Sequence, residues 1–260
     1  MDKVALITGA SSGIGRELAG IHAEHGGDLV IVARREDKLN EIKIHLESKH
    51  SVEVTIIPKD LTRPEAAQEV YDYVKNAGIE VEYLINNAGF GGRGKFFERS
   101  WKQDLAMIQL NIVALTALSR FFLPDFVKRN SGRILNVSST ASLVPGPLQA
   151  VYYATKAYVT SFSNALAEEL HDTNVTVTAL LPGVTETEFA HTSGMDKTSI
   201  SKKAASARTV AQDGYDAMLA GKLDVISGFT FGRRVMLAML PFTPKKLVLS
   251  RIRKWQEIQN

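Results

Sequence analysis

A tyrosine and a lysine four residues apart are the pair whose types and spacing most directly suggest chemistry in this 260-residue chain. Tyr152 and Lys156 fall on one face of a helical pattern that runs from Gln149 to about Leu170, so a phenol and an ammonium lie side by side. A phenol beside a fixed cation is expected to ionise more readily than its reference value of about 10, which suits a proton donor to a carbonyl near neutral pH. Taken alone, such a pair fits a surface helix better than an active site. It does not stand alone, because the apolar run Ile134-Leu135-Asn136-Val137 reads as a buried strand and delivers Ser138 and Ser139 into the preceding loop. That loop turns at Pro145-Gly146-Pro147 before the helix begins.

The elements that must position these groups alternate along the whole chain. Val4 to Thr8 is a continuous apolar run, as expected of a strand buried on both faces. Gly9-Ala10-Ser11-Ser12-Gly13-Ile14-Gly15 follows, and Ile14, Leu18 and Ile21 then give a helical stripe. Strands are expected at Leu29 to Ala33, Val52 to Ile57, Val81 to Asn86, Val175 to Leu181 and Leu223 to Ser227, with Pro58 and Pro182-Gly183 as stops. Helices are expected over Glu36 to Ser48 and to about Asn76, the latter opened by a Thr62/Glu65 capping box with Pro64 in its first turn. A long helix from about Trp101 to Lys128 is expected to kink near Pro124, and Ser206 to cap a helix ending near Gly221. This alternation predicts an α/β fold, a doubly wound Rossmann-type parallel sheet of about seven strands in a single domain. Residues 1–232 would form the catalytic domain and 233–260 a basic extension of it.

Composition narrows the chemistry. With no cysteine, disulfides, thiolate metal sites and cysteine nucleophiles are excluded. The six histidines are scattered, and His22 with His25 lacks a third ligand, so no metal site is expected. The chain shows no leader before its first strand and no apolar run near the roughly 20 residues a membrane span requires, so a cytoplasmic protein is the expectation. Hydrophobic content of 45% and charged content of 23% fit a globular domain with a substantial core. The net charge of +3 is uneven: from Gly232 onward the chain carries about +6, leaving about −3 elsewhere, so no nucleic-acid partner is expected.

The glycine turn, with spacing TGxxxGxG, places backbone N–H groups and a helix N-terminus where a pyrophosphate can bind. Together with Asn86-Asn87-Ala88-Gly89, Asn111, Ser139 and Tyr152-xxx-Lys156, all in order from Lys3 to Phe189, it resembles the short-chain dehydrogenase/reductase family in its compact single-domain form. The resemblance implies Tyr152 as catalytic acid/base, Lys156 as the lysine that lowers the tyrosine pKa and binds the nicotinamide ribose, and Ser139 as the serine that polarises the substrate carbonyl. Asn111 is similar to the asparagine that holds a relay water. Asp60 with Leu61 is similar to the segment near the adenine amine, and Asn87, Ala88 and Gly89 to the segment along the adenosine ribose. Pro182, Gly183, Thr185 and Thr187 resemble the turn that holds the carboxamide, and residues 184–205 the substrate loop.

Cofactor choice rests on charge. Where NAD-binding folds place a carboxylate at the end of the second strand, this chain has Arg34 and Arg35, which favour a 2′-phosphate, so NADP(H) is expected. The reaction expected is hydride transfer between nicotinamide and a carbonyl or secondary alcohol of a small molecule, while Tyr152 moves the proton. A non-catalytic dinucleotide-binding regulator and an epimerase or dehydratase are the competing readings. The first is disfavoured by the retained Asn111, Ser139, Tyr152 and Lys156, the second by chain length. Lys202 and Lys203 suit an acidic substrate group or plain solvation.

On the Tyr152 helix, Ala150, Ala154, Ala157, Ser161 and Ala165 form a small-residue stripe expected to face the sheet. Phe162, Leu166 and Leu170 form an outer row expected to meet a partner helix, and the family resemblance implies a homodimer or homotetramer. In the basic tail, Thr243 and Pro244 read as helix cap and first residue, with Val248, Ile252 and Trp255 on one face after the apolar stretch Val235 to Leu240. That composition fits either a peripheral contact with an anionic membrane or a cover over the pocket whose cations are simply solvated.

Overall fold

Seven strands form one parallel sheet in the order β3-β2-β1-β4-β5-β6-β9. They are β1 (Val4–Thr8), β2 (Leu29–Ala33), β3 (Val54–Pro58), β4 (Val81–Asn86), β5 (Gly132–Val137), β6 (Val175–Pro182) and β9 (Asp224–Ser227). The computed structural model describes residues 3–189, 204–229, 232, 237, 239 and 242–257. Lys202, Lys203, most of the 184–205 loop and most of the apolar stretch before the tail helix lie outside the described residues. A short parallel pair, β7 (Thr185–Glu186) with β8 (Ala205–Ser206), brackets that loop.

Helices cover both sheet faces. Helices α1 (Gly13–Glu24), α2 (Glu36–His50) and α7 (Ala207–Leu219) bury Leu18, Ile21, Leu39, Leu46, Val210 and Met218 on one side. Helices α3 (Ala66–Asn76), α5 (Leu115–Arg129) and α6 (Ala150–Glu169) bury Val70, Val74, Leu118, Phe122, Phe126 and Leu166 on the other. Strand order reverses at β1, so the crevice beyond the carboxyl ends of β1 and β4 is the topological switch point where ligands of open α/β sheets bind. The glycine turn and Asn87-Ala88-Gly89 both emerge there.

Several local expectations are corrected. The Thr62/Glu65 capping box does not form: Thr62 gives its N–H and hydroxyl to Asp60 Oδ1 at 3.1 and 2.9 Å, and α3 begins only at Ala66. Pro58 is the last residue of β3, paired opposite Ala33, which an edge strand tolerates. The region Trp101 to Arg129 runs as α4 (Trp101–Ile108), a π-helical segment (Gln109–Ala114) and α5, which continues through Pro124. Its irregular turn therefore surrounds Asn111. This region is 29 residues long and holds an 18-residue window of mean hydropathy 1.6, long and apolar enough to cross a membrane, contrary to the expectation of no such run. Here its apolar face is core, and Asp104 in it is buried against Arg99 at 2.7 Å. Ser206 caps α7 as expected, its hydroxyl accepting from Thr209 N at 3.1 Å.

On α6 the expected faces are reversed. Leu166 and Leu170 are buried with Tyr152, Lys156 and Val159, whereas Ala150, Ala154, Ala157, Ser161 and Ala165 face outward. The larger side chains exclude more water against the sheet, so they take the inner face. In α8 (Lys245–Gln256) Pro244 is the cap rather than the first helical residue, and Thr243 Oγ1 donates to Met239 O at 3.1 Å.

Candidate active site

The end of β5 pins the site. Ser138 is buried and bonds its N–H to Leu180 O at 2.8 Å, while its hydroxyl donates to Lys156 O at 2.9 Å and meets Thr160 Oγ1 at 2.7 Å. Ser138 therefore ties strand to helix, and Ser139 follows it out of β5. Ser139 caps the turn Thr140–Leu143 by accepting from Ala141 N at 3.1 Å, and its hydroxyl donates to Pro182 O at 3.5 Å.

Tyr152 is 7% exposed and Lys156 5%. Lys156 Nζ donates to Val137 O at 2.7 Å. Asn111 is fixed on three sides: Oδ1 accepts from Phe90 N at 3.1 Å, and Nδ2 donates to Phe90 O and to Thr155 Oγ1, each at 3.0 Å. Thr155 in turn donates to Tyr152 O at 2.7 Å. A Cβ on Gly89 would come within 3.1 Å of Asn111 Oδ1 and 3.4 Å of Lys156 Nζ, so these residues from β4, the π segment and α6 converge. π-helical turns of this kind recur at functional sites. Met107, Ala141 and Tyr152, with Phe90, Val151, Tyr153 and Phe189 packed on them, form an apolar wall beside the polar groups.

Electrostatics correct one expectation. Burial pushes the Tyr152 pKa above its ordinary 10, and the Ser139 hydrogen bond offsets only part of that. Desolvation dominates the phenol among these protein groups, and the Lys156 ammonium is turned to Val137 O. Burial also brings Lys156 down from 10.5 to about 8. Tyr153 is pushed up to about 12 by burial, partly countered by a hydrogen bond from Gln256.

The residues expected to bind a nucleotide lie around the switch point. Gly9, at φ +67°, turns the chain out of β1, and a Cβ there would meet Ala88 Cα at 2.8 Å. A Cβ on Gly15 would lie 2.4 Å from Gly9 O, so only glycine lets α1 start this close to β1. The first N–H groups of α1, from Gly13 to Gly15, lack partners within the helix and suit a pyrophosphate, while the Ile14 side chain packs on the core. Asn87 serves the turn itself, donating Nδ2 to Thr8 O at 2.9 Å and Gly9 O at 3.3 Å, and Ala88 N bonds Thr8 Oγ1 at 3.0 Å. Leu61 is buried in the core beside Asp60. Gly183 N bonds Ser227 O at 2.9 Å, Thr185 Oγ1 turns back to Gly183 O at 3.0 Å, and Thr187 lies against Gly13. Arg34 is exposed, and Arg35 reaches Ser11 Oγ at 3.2 Å and Glu188 at 2.9 Å.

Four participants carried no usable sequence signal. Thr155 sits next to Lys156 but in no recognised role. Glu188 and Arg93 are lone charges in loops. Gln256 lies 103 residues from Tyr153, whose hydroxyl its Nε2 contacts at 2.8 Å, while its carbonyl accepts from Arg93 Nε at 2.6 Å. The tail helix thus reaches Tyr153, the neighbour of Tyr152.

Comparison with known proteins agrees with this geometry. The family model for short chain dehydrogenases matches residues 3–198, and the chain belongs to that family of oxidoreductases. It is 34% identical over 192 residues to human very-long-chain 3-oxoacyl-CoA reductase, a match that spans 72% of this chain and 60% of that protein's length. It is 35% identical over 190 residues to the NADP-dependent 3-hydroxy acid dehydrogenase of Schizosaccharomyces pombe, spanning 72% of this chain and 73% of that one. Among solved structures, a short-chain dehydrogenase from Sphingobium yanoikuyae in complex with NADPH superposes with a TM-score of 0.83 at 29% identity, covering 99% and 96% of the two chains.

Proposed function

We propose that this protein is an NADP(H)-dependent oxidoreductase that passes hydride between nicotinamide and a carbonyl or secondary alcohol, with Tyr152 as the acid/base. The observation that carries the reading is the convergence of Ser139, Tyr152, Lys156 and Asn111 at the carboxyl edge of β4 and β5, beside a glycine turn made for a pyrophosphate. The residues present fit NADP(H): the turn is open where a Cβ would close it, and the end of β2 offers two arginines and no carboxylate. Gly13 to Gly15, Ser11, Ser12, Arg34 and Arg35 would hold its phosphates. Such a cofactor supplies or accepts the hydride.

The chain's own residues handle the proton. The buried Tyr152 phenol is protonated at neutral pH, which suits donation to a carbonyl oxygen. Ser139, at the end of the strand that Lys156 is bonded to, would share the same carbonyl. Lys156, with its pKa near 8, is still mostly charged at pH 7 and stabilises the phenolate that donation leaves behind. Asn111, locked by Phe90 and Thr155, holds the helix against the site.

We also propose a cytoplasmic homodimer or homotetramer. Its contact would use the outward small residues of α6 with the exposed Tyr158 and Val113 nearby on α6 and the π segment. The tail is proposed to cover the pocket with its Ile252 and Gln256 face and to meet anionic lipid with the exposed Leu247, Trp255 and surrounding cations. Tyr152→Phe tests the central claim. NADPH binding is expected to persist while kcat falls about 10²–10⁴-fold, the usual contribution of a general acid. Near-normal kcat in that variant, with loss in Tyr153→Phe instead, overturns it.

A further inference from the structure

Arg35 is clasped from across the cofactor crevice. Glu188, in the segment after β7, pairs with it through two contacts, Nη2 to Oε2 at 2.9 Å and Nη1 to Oε1 at 3.4 Å. The same guanidinium reaches Ser11 Oγ at 3.2 Å. Ser12, whose hydroxyl does not cap α1, is the residue that follows Ser11 into the helix. Next to it, a Cβ on Gly13 would come within 2.9 Å of Thr187 Cγ2, so this segment lies directly on the glycine turn. A carboxylate is thus held by one guanidinium beside the start of a helix, with a serine hydroxyl on the same guanidinium. That is the donor set a phosphate monoester takes, since a guanidinium fork and helix-terminal groups accept either anion. The Arg35 guanidinium holds the Glu188 carboxyl below the usual carboxylate range, so the group is ionised at neutral pH.

We infer that Glu188 is an internal competitor for the phosphate cradle. It occupies Arg35 in place of the cofactor's 2′-phosphate and thereby sets how strongly the protein distinguishes NADPH from NADH. The inference rests on the NADP(H) reading above and adds a specificity-determining residue that lies 153 positions from the arginine it acts on. Binding of a 2′-phosphate must take Arg35 from Glu188 or share it against carboxylate repulsion. NADH has no 2′-phosphate, so its binding leaves the pair intact. Glu188 therefore narrows the preference that Arg34 and Arg35 create.

The test measures dissociation constants for NADPH and NADH by fluorescence titration on wild type, Glu188→Gln, Arg35→Gln and the double variant. Glu188→Gln is expected to tighten NADPH about twofold to fivefold, the range an exposed ion pair supports, and to leave NADH unchanged. In the Arg35→Gln background the same substitution is expected to give no gain, because the interaction runs through that guanidinium. Unchanged or weakened NADPH binding in Glu188→Gln, with wild type still preferring NADPH, overturns the competitor role and leaves the NADP(H) reading intact. Equal affinity of wild type for both cofactors overturns the NADP(H) reading itself.

Discussion

Replacing Lys156 with methionine is expected to abolish most turnover and to change the pH profile of stability in a way that only a buried amine can. The lysine is 5% exposed, its Nζ lies 2.7 Å from Val137 O, and burial brings its pKa from 10.5 to about 8. Below pH 8 both folded and unfolded chains carry the proton, and the folded state bears the cost of the buried charge. Between 8 and 10.5 the folded chain has released the proton while the unfolded chain keeps it, so wild-type stability rises with pH. That gap corresponds to about 3 kcal/mol. Methionine fills similar space and does not titrate. At neutral pH the variant gains about 3 kcal/mol by losing the buried charge and loses about 1–3 kcal/mol by leaving the Val137 carbonyl unpaired. It is therefore expected to be as stable as wild type or slightly more so. By the top of the window that advantage is lost and wild type leads by about 1–3 kcal/mol, roughly 2–6 °C in Tm for a chain of this size. Urea unfolding followed by circular dichroism at steps across the window checks this, because all other titrating groups cancel in the difference. A difference between the two proteins that stays constant with pH refutes the reasoning. Wild-type turnover is expected to fall as pH rises through about 8, as the ammonium beside the phenolate is lost.

Two further outcomes test the surfaces. Ala157→Arg places a long cation in the outward small-residue stripe of α6, so it is expected to shift the protein to monomer by light scattering while leaving helix content unchanged; a monomeric wild type would refute the interface. Full-length protein is expected to co-sediment with anionic vesicles more than with neutral ones, and a chain ending at Phe231 to lose that binding. Binding indifferent to lipid charge and to truncation leaves the tail as a cover only.

The sheet was legible because its strands are buried on both faces. Val4 to Thr8, Leu29 to Ala33 and Val81 to Asn86 read from apolar runs alone with the bounds the structure shows. Such strands have no solvent side to interrupt the pattern. Helix details were less legible because local rules compete with distant partners. Thr62 had the spacing of a capping box, yet Asp60 two residues away offered its hydroxyl a nearer acceptor. The α6 stripe was misassigned because helical spacing shows that two rows exist and not which one meets the sheet. Burial settles that, and the heavier row goes inward.

The site divides along the same line. The groups proposed for chemistry were legible from type and spacing, since Tyr152, Lys156 and Ser139 are brought together by one strand, one turn and one helix. What makes their burial tolerable was not. Lys156 needs the Val137 carbonyl, Asn111 needs the Phe90 backbone and Thr155, and Ser138 must bond the Lys156 carbonyl. Each of these partners is ordinary in composition and acts through position. A buried polar group without a partner costs about as much as a lost hydrogen bond or more, so the supporting set is as necessary to the site as the reacting set. The partners from farthest away, Glu188 on Arg35 and Gln256 on Tyr153, lie at the edges of the proposed site. Those contacts join segments separated by 153 and 103 residues. No local spacing encodes such contacts, and the fold alone brings them together.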